Sequence, residues 1–300
     1  MKPFFGPFAW CIFLLLAGLP WLQSHWEGAL VVFAALVLVP LGFELLKLPW
    51  RNIYWIAVFG LLVAYLVYPN PYAAILALPY LAIAAWTSLQ FFIQVFSNPA
   101  RSLGKVVECA ALIYWTVGAV WSLCWLAQFA PLGFDATIVG LTAAHFHLAG
   151  FVLTLLIAIL YQSDRSPFNR ILAWASLFGM PLVATGITLT KLGYSPVIEW
   201  IAGIGFAVMA LGVVFQQLRL VFNANMPPTA RWLWGAGALC LCAGATLASL
   251  YALRFVYPIN WVNIPNMKIW HGSLNTLGFA WASLSGWAYL HRMLSSMRLF

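Results

Sequence analysis

Apolar residues run along this chain in blocks of about twenty, the length that carries an α-helix across a bilayer, and polar residues collect in the gaps between blocks. The blocks cover residues 8–23, 28–46, 53–68, 72–96, 106–128, 136–161, 168–190, 197–221, 232–257 and 267–293. This pattern predicts an all-α fold: a polytopic integral membrane bundle of about ten transmembrane helices forming one domain over residues 1–300. The gaps carry the punctuation that helix ends need: Pro49, Pro69-Asn70-Pro71, Asn98-Pro99, Pro131, Ser166-Pro167, Ser195-Pro196, Pro227-Pro228 and Pro258. At those positions a missing backbone N–H costs least. Trp21, Trp26, Trp50, Trp55, Trp200, Trp232, Trp261 and Trp270 fall near the predicted ends, as an interfacial aromatic belt requires.

Composition removes the soluble alternatives. With 64% hydrophobic and 7% charged residues, the chain has too few charges for a water-facing surface, which normally needs about a quarter. The formal charge of +8 invites a nucleic-acid reading, but the basic residues are dispersed through short loops, so no nucleic-acid partner is expected. The opening Met1-Lys2-Pro3 and the apolar run after it resemble a signal peptide. No small-x-small cleavage site follows, so the run is read as a retained first span.

Charge placement predicts orientation. With the N-terminus in the cytoplasm, Lys2, Lys47, Arg51, Arg101, Lys105, Arg165, Arg170, Arg219, Arg231, Arg292 and Arg298 share the inner side, and only Lys191, Arg254 and Lys268 lie outside. Eleven against three accounts for all 14 Lys and Arg and is a strong positive-inside signal. Both termini are expected in the cytoplasm. At the inner rim, Glu44 with Lys47 and Lys105 with Glu108 are spaced to pair within one helix turn.

Candidate chemistry centres on two stretches. The first is Leu141-Thr142-Ala143-Ala144-His145-Phe146-His147-Leu148-Ala149-Gly150-Phe151, which sets two imidazoles in an apolar run. Buried without a partner they would cost several kcal/mol, so they should face the protein interior or a wet cavity. The second is Trp270-His271-Gly272-Ser273-Leu274-Asn275, with His271 and Asn275 one turn apart on one face. On regular α-helices entering from outside, His145 lies about 14 Å deep and His271 about 6 Å. The expectation is an outer-half pocket lined by His145, His147, His271 and Asn275, with Thr142 close by and Asp135 and Arg254 at its mouth.

The spacing of His145 and His147 limits that chemistry. Two residues apart is about 200° of rotation, so the rings point to nearly opposite faces and one metal cannot take both on a regular helix. Small neighbours, Ala143, Ala144, Ala149 and Gly150, let other helices or a flat ligand approach. The competing structural reading has each buried ring donating to a backbone carbonyl or to the Thr142 hydroxyl. Gly203, Gly205, Gly235 and Gly237 read as close helix contacts, and Cys11, Cys109, Cys124, Cys240 and Cys242 as small apolar side chains within spans.

These two stretches, with Pro131-Leu132-Gly133-Phe134-Asp135 before the first and Asn263-Ile264-Pro265-Asn266-Met267 before the second, resemble the YndJ-like family of bacterial membrane proteins. The resemblance covers roughly the second half of the chain and implies a multi-pass protein of the bacterial cytoplasmic membrane. The chain departs from the family pattern at Asp135, where Glu is usual, and at Trp270, where Thr is usual. A more distant likeness is to the haem–copper oxidase superfamily, in which a His-Phe-His segment serves two metal centres. The adjacent His-His pair of those enzymes is absent, and with 5 histidines in all a full oxidase is excluded.

Three function classes follow. The leading one is a haem or transition-metal protein, with His145, His147 and His271 as metal ligands and Asn275 completing the cofactor site. The second is a cofactor-free isomerase or cyclase acting on a lipid-soluble small molecule, with a histidine and Asp135 exchanging protons and Thr142, Asn275 and Arg254 binding substrate. The third is a proton or solute transporter, weakened by the lack of ionisable residues between His147 and the inner rim. Membrane lipids are the one partner all three share.

Overall fold

The computed structural model describes residues 5–49 and 52–297. Lys2, Trp50, Arg51 and Arg298, which enter the charge count and the aromatic belt, lie outside the described residues. Those residues form no strand, a short 3-10 turn at Pro131–Gly133 and ten long helical stretches. They are α1 (Phe5–Ser24), α2 (Trp26–Leu45), α3 (Asn52–Val67), α4 (Ala73–Phe96), α5 (Leu103–Leu126), α6 (Ala136–Ser163), α7 (Pro167–Lys191), α8 (Val197–Val221), α9 (Pro228–Phe255) and α10 (264–297). Eight are long and apolar enough to cross a membrane; α3, at 16 residues, is shorter, and α10 is too polar to count with them. Contacts divide the chain into two compact units, Met1–Val152 and Leu153–Phe300.

The first unit is built round α2. Between Gly28 and Phe43 this helix is apolar on every face, and a helix of that kind must be enclosed by others. Every residue from Glu27 to Pro40 is buried, and α1, α3 and α6 pack against it. The surrounding helices turn apolar side chains outward instead: Leu15, Leu16 and Leu19 of α1 are 82%, 68% and 73% exposed, the outer surface of a protein solvated by lipid. Two aromatic donors pin α2 from the side. The Trp10 indole donates to the Ala29 carbonyl at 2.8 Å, and the Tyr54 hydroxyl donates to that of Ala35 at 2.5 Å. The second bond enters a π-helical stretch, Ala34–Leu38, whose widened turn needs such support.

In the second unit, α8 packs on α7 and α9, and α9 on α10. The seam between α9 and α10 is made by small residues. Gly237 sits against Ser283, Gly278 against Cys240 and Gly286 against the Trp234 indole. Trp234 is fully buried and meets Trp287 with ring centres 4.9 Å apart, while Gln217 of α8 donates to the Ser283 hydroxyl at 2.7 Å. Gly203 makes the close contact its sequence suggests, against Ala252, but Gly205 faces open space and Gly235 touches Val221 only loosely.

Candidate functional sites

The histidine helix α6 begins at Asp135, whose carboxylate accepts from the Ile138 N–H at 3.0 Å. Asp135 is therefore an exposed N-cap, the commonest task of an Asp at a helix start. Thr142, one turn further on, gives its hydroxyl to the Ile138 carbonyl at 2.7 Å. From Phe146 to Leu153 the helix is π rather than α. The depth and rotation figures that assume regular α geometry fail from that point, because each turn of a π stretch holds an extra residue.

His145 and His147 meet opposite surroundings. His145 is exposed, and its Nδ1 lies 2.7 Å from the Leu141 carbonyl. His147 is fully buried, with Nδ1 2.8 Å from the Ala143 carbonyl and Nε2 3.2 Å from the Tyr80 hydroxyl. A carbonyl only accepts, so each Nδ1 carries the proton and each Nε2 the lone pair. The direction of every bond round His147 then follows. The Trp115 indole donates to the Tyr80 oxygen at 2.8 Å, Tyr80 donates to His147 Nε2, and His147 Nδ1–H donates to Ala143. Gly118 supplies the floor: a Cβ there would stand 2.6 Å from the His147 ring.

The second-unit site has the same logic with a different support. His271, half-buried on α10, donates from Nδ1 to the Gly244 carbonyl of α9 at 2.9 Å. The Asn275 amide nitrogen donates to the His271 carbonyl at 2.9 Å and lies 3.3 Å from its Nε2. Its 3.2 Å approach to Nδ1 sets donor against donor and contributes nothing. A Cβ on Gly244 would fall 2.5 Å from the Asn275 amide, so the glycine makes the room that this side chain occupies. A further π stretch, Leu274–Ala280, starts three residues after His271.

Arg254 is held in an ion pair. Its guanidinium pairs with Glu199, donates to the Tyr251 carbonyl at 2.9 Å, and lies 4.0 Å from the ring centres of both Tyr251 and Phe255. Gly150 does not leave space for a flat ligand, because Tyr114 and Phe146 fill it. Among the described residues, no three His, Cys, Asp or Glu side chains converge as metal donors.

Comparison with known proteins now gives these sites a context. The profile described as YndJ-like protein matches residues 29–279, most of the chain. The chain belongs to the YndJ-like family. One relative, an uncharacterized membrane protein YndJ of Bacillus subtilis (strain 168), is 24% identical over 208 residues, covering 67% of this chain and 36% of the relative. The chain thus spans about a third of that relative's length. No solved structure matches. The YndJ-like match takes in His145, His147, His271 and Asn275 and leaves out His25 and His291. This YndJ-like chain is a membrane protein with multiple apolar helices.

Tyr80, Trp115, Gly118 and Gly244 are the members of these sites that sequence reasoning missed. A signal did exist for Tyr80: a tyrosine midway along an apolar span must find a partner for its hydroxyl. Glu27 was also overlooked, although it is an acid at the head of an apolar run. It is 2% exposed, and Gly140 gives it room.

Proposed function

We propose that the chain is a multi-pass protein of the bacterial cytoplasmic membrane, one transmembrane domain crossing ten times with both ends inside. Its chemistry resides in His145 and His271, each acting through Nε2 as a ligand to a haem or transition-metal centre. One observation carries this reading: both rings donate Nδ1–H to a backbone carbonyl. That second bond fixes the tautomer of a ligating histidine, orients its ring and raises the basicity of the other nitrogen. The Tyr80 hydroxyl holds Nε2 of His147, so the role of that ring is to position α6. The Asn275 contact to His271 Nε2, at 3.3 Å, is longer than a good hydrogen bond and can yield to a ligand.

A second reading is favoured by the lack of three converging donors among the described residues. Zinc-type sites need three or four protein ligands, whereas haem needs only one or two and a general base none. His145 or His271 would then serve as a base toward a lipid-soluble substrate without any cofactor. The absorption spectrum and metal content of the purified chain in detergent separate the two. A Soret band, or about one equivalent of metal, that is lost in His145→Ala or His271→Ala and kept in His147→Gln supports ligation. Colourless, metal-free protein overturns it and leaves the base.

A further inference from the structure

Phe215, Leu218 and Arg219 of α8, with Phe222 and Asn223 just past its C-terminal end, line an open groove of about 480 Å³. Their spacing is that of one helix face, on which Arg219 and Asn223, one turn apart, sit among Phe215, Leu218 and Phe222. Phe215 and Phe222 are 54% and 79% exposed, suited to lipid chains. Arg219 and Asn223 are the polar members of the groove. The contacts of Arg219 with Asp164, at 3.5 Å, and with Gln216, at 3.0 Å, both use Nη1, and the side chain also lines the groove.

The end of a helix is ordinarily a poor place for an anion, because its last carbonyls carry negative charge. Here Arg231 of α9 offsets this by donating from Nε to the Val221 carbonyl at 2.5 Å. Two guanidiniums from two helices therefore lie near the C-terminal end of α8, Arg219 in the groove lining and Arg231 on the Val221 carbonyl, with one carboxylate, Asp164, against Arg219. The charge count assigns this end to the cytoplasmic side, where the leaflet is anionic and basic recesses between spans hold acidic headgroups.

We propose that this groove is a binding site for one anionic phospholipid, with its phosphate on Arg219 and Asn223 and an acyl chain along Phe215, Leu218 and Phe222. The site is independent of the histidines. The test is native mass spectrometry of the full chain titrated with phosphatidylglycerol or phosphatidylcholine. Wild type is expected to retain phosphatidylglycerol at least threefold better, Arg219→Gln and Asn223→Asp to lose that preference, and Arg219→Lys to keep most of it. Arg101→Gln, in the loop between α4 and α5, should behave as wild type. Equal retention of the two lipids, or an unchanged preference in both Arg219→Gln and Asn223→Asp, overturns the proposal. So does displacement of the lipid by excess inorganic phosphate, which would make the phosphate alone the ligand.

Discussion

Tyr80 of α4 gives its hydroxyl to Nε2 of His147 on α6 across 3.2 Å, and in doing so takes the one lone pair that His147 could offer a metal. The two rings also stack, with centres 6.0 Å apart and planes 17° from parallel. A histidine that sequence reasoning placed in the reactive site is thus the middle link of a buried structural chain running from Trp115 to Ala143.

That chain should be costly to interrupt. Tyr80→Phe leaves both the Trp115 indole and His147 Nε2 without partners, and each orphaned buried group costs about 1–3 kcal/mol. Gly118→Ala pushes on the His147 ring and should cost a similar amount, about 1–3 kcal/mol, by overpacking. Thermal unfolding in detergent is the measurement, and melting temperatures equal to wild type in both variants would contradict the network.

Asp135 offers a sharper separation of structural from chemical roles. As an N-cap it should tolerate Asn, which caps as well, and lose about 1 kcal/mol on change to Ala. Unfolding of the two variants decides: Asn behaving like Ala would mean that the carboxylate, and not the cap, is what the protein uses there.

Glycines of the second unit should divide by their surroundings. Gly244→Ala meets the Asn275 amide and should destabilise by about 1–3 kcal/mol and shift the His271 environment. Gly205→Ala meets nothing within 4 Å, and relief of backbone entropy in a helix interior should make it neutral or stabilising by about 0.5–1 kcal/mol. Equal effects at the two positions would mean that the α9–α10 packing is not as described.

Orientation is open to a reporter test. Fusions in the loop at Gly133 should report outside the cytoplasm, and fusions after Phe300 inside it. A cytoplasmic signal at Gly133 would reverse the membrane sidedness assigned to every site above, including the lipid groove.

Much of the helical layout was legible because lipid imposes it. Apolar runs of span length and prolines at their ends answer to the bilayer, and each expected block coincides with a helix, eight of them long and apolar enough to cross a membrane. The sites were less legible. The π stretches at Phe146–Leu153 and Leu274–Ala280 leave no mark in apolar periodicity, yet they reset which side chains share a face. Arg254 was visible as an outer-side charge, but its pairing with Glu199 depends on how α8 meets α9, and spacing along the chain does not encode that. Tyr80 and His147 are 67 positions apart, and only packing joins them.

The central claim is that His145 and His271 keep Nε2 as the basic nitrogen because a backbone carbonyl holds Nδ1–H. Solid-state ¹⁵N spectra of histidine-labelled protein in lipid bilayers read this directly, with His145→Gln and His271→Gln assigning the signals. The account predicts a protonated Nδ1 and an unprotonated Nε2 at both residues, with the Nε2 signal moving when haem or metal is supplied. A protonated Nε2 at either ring in the cofactor-free protein would contradict it.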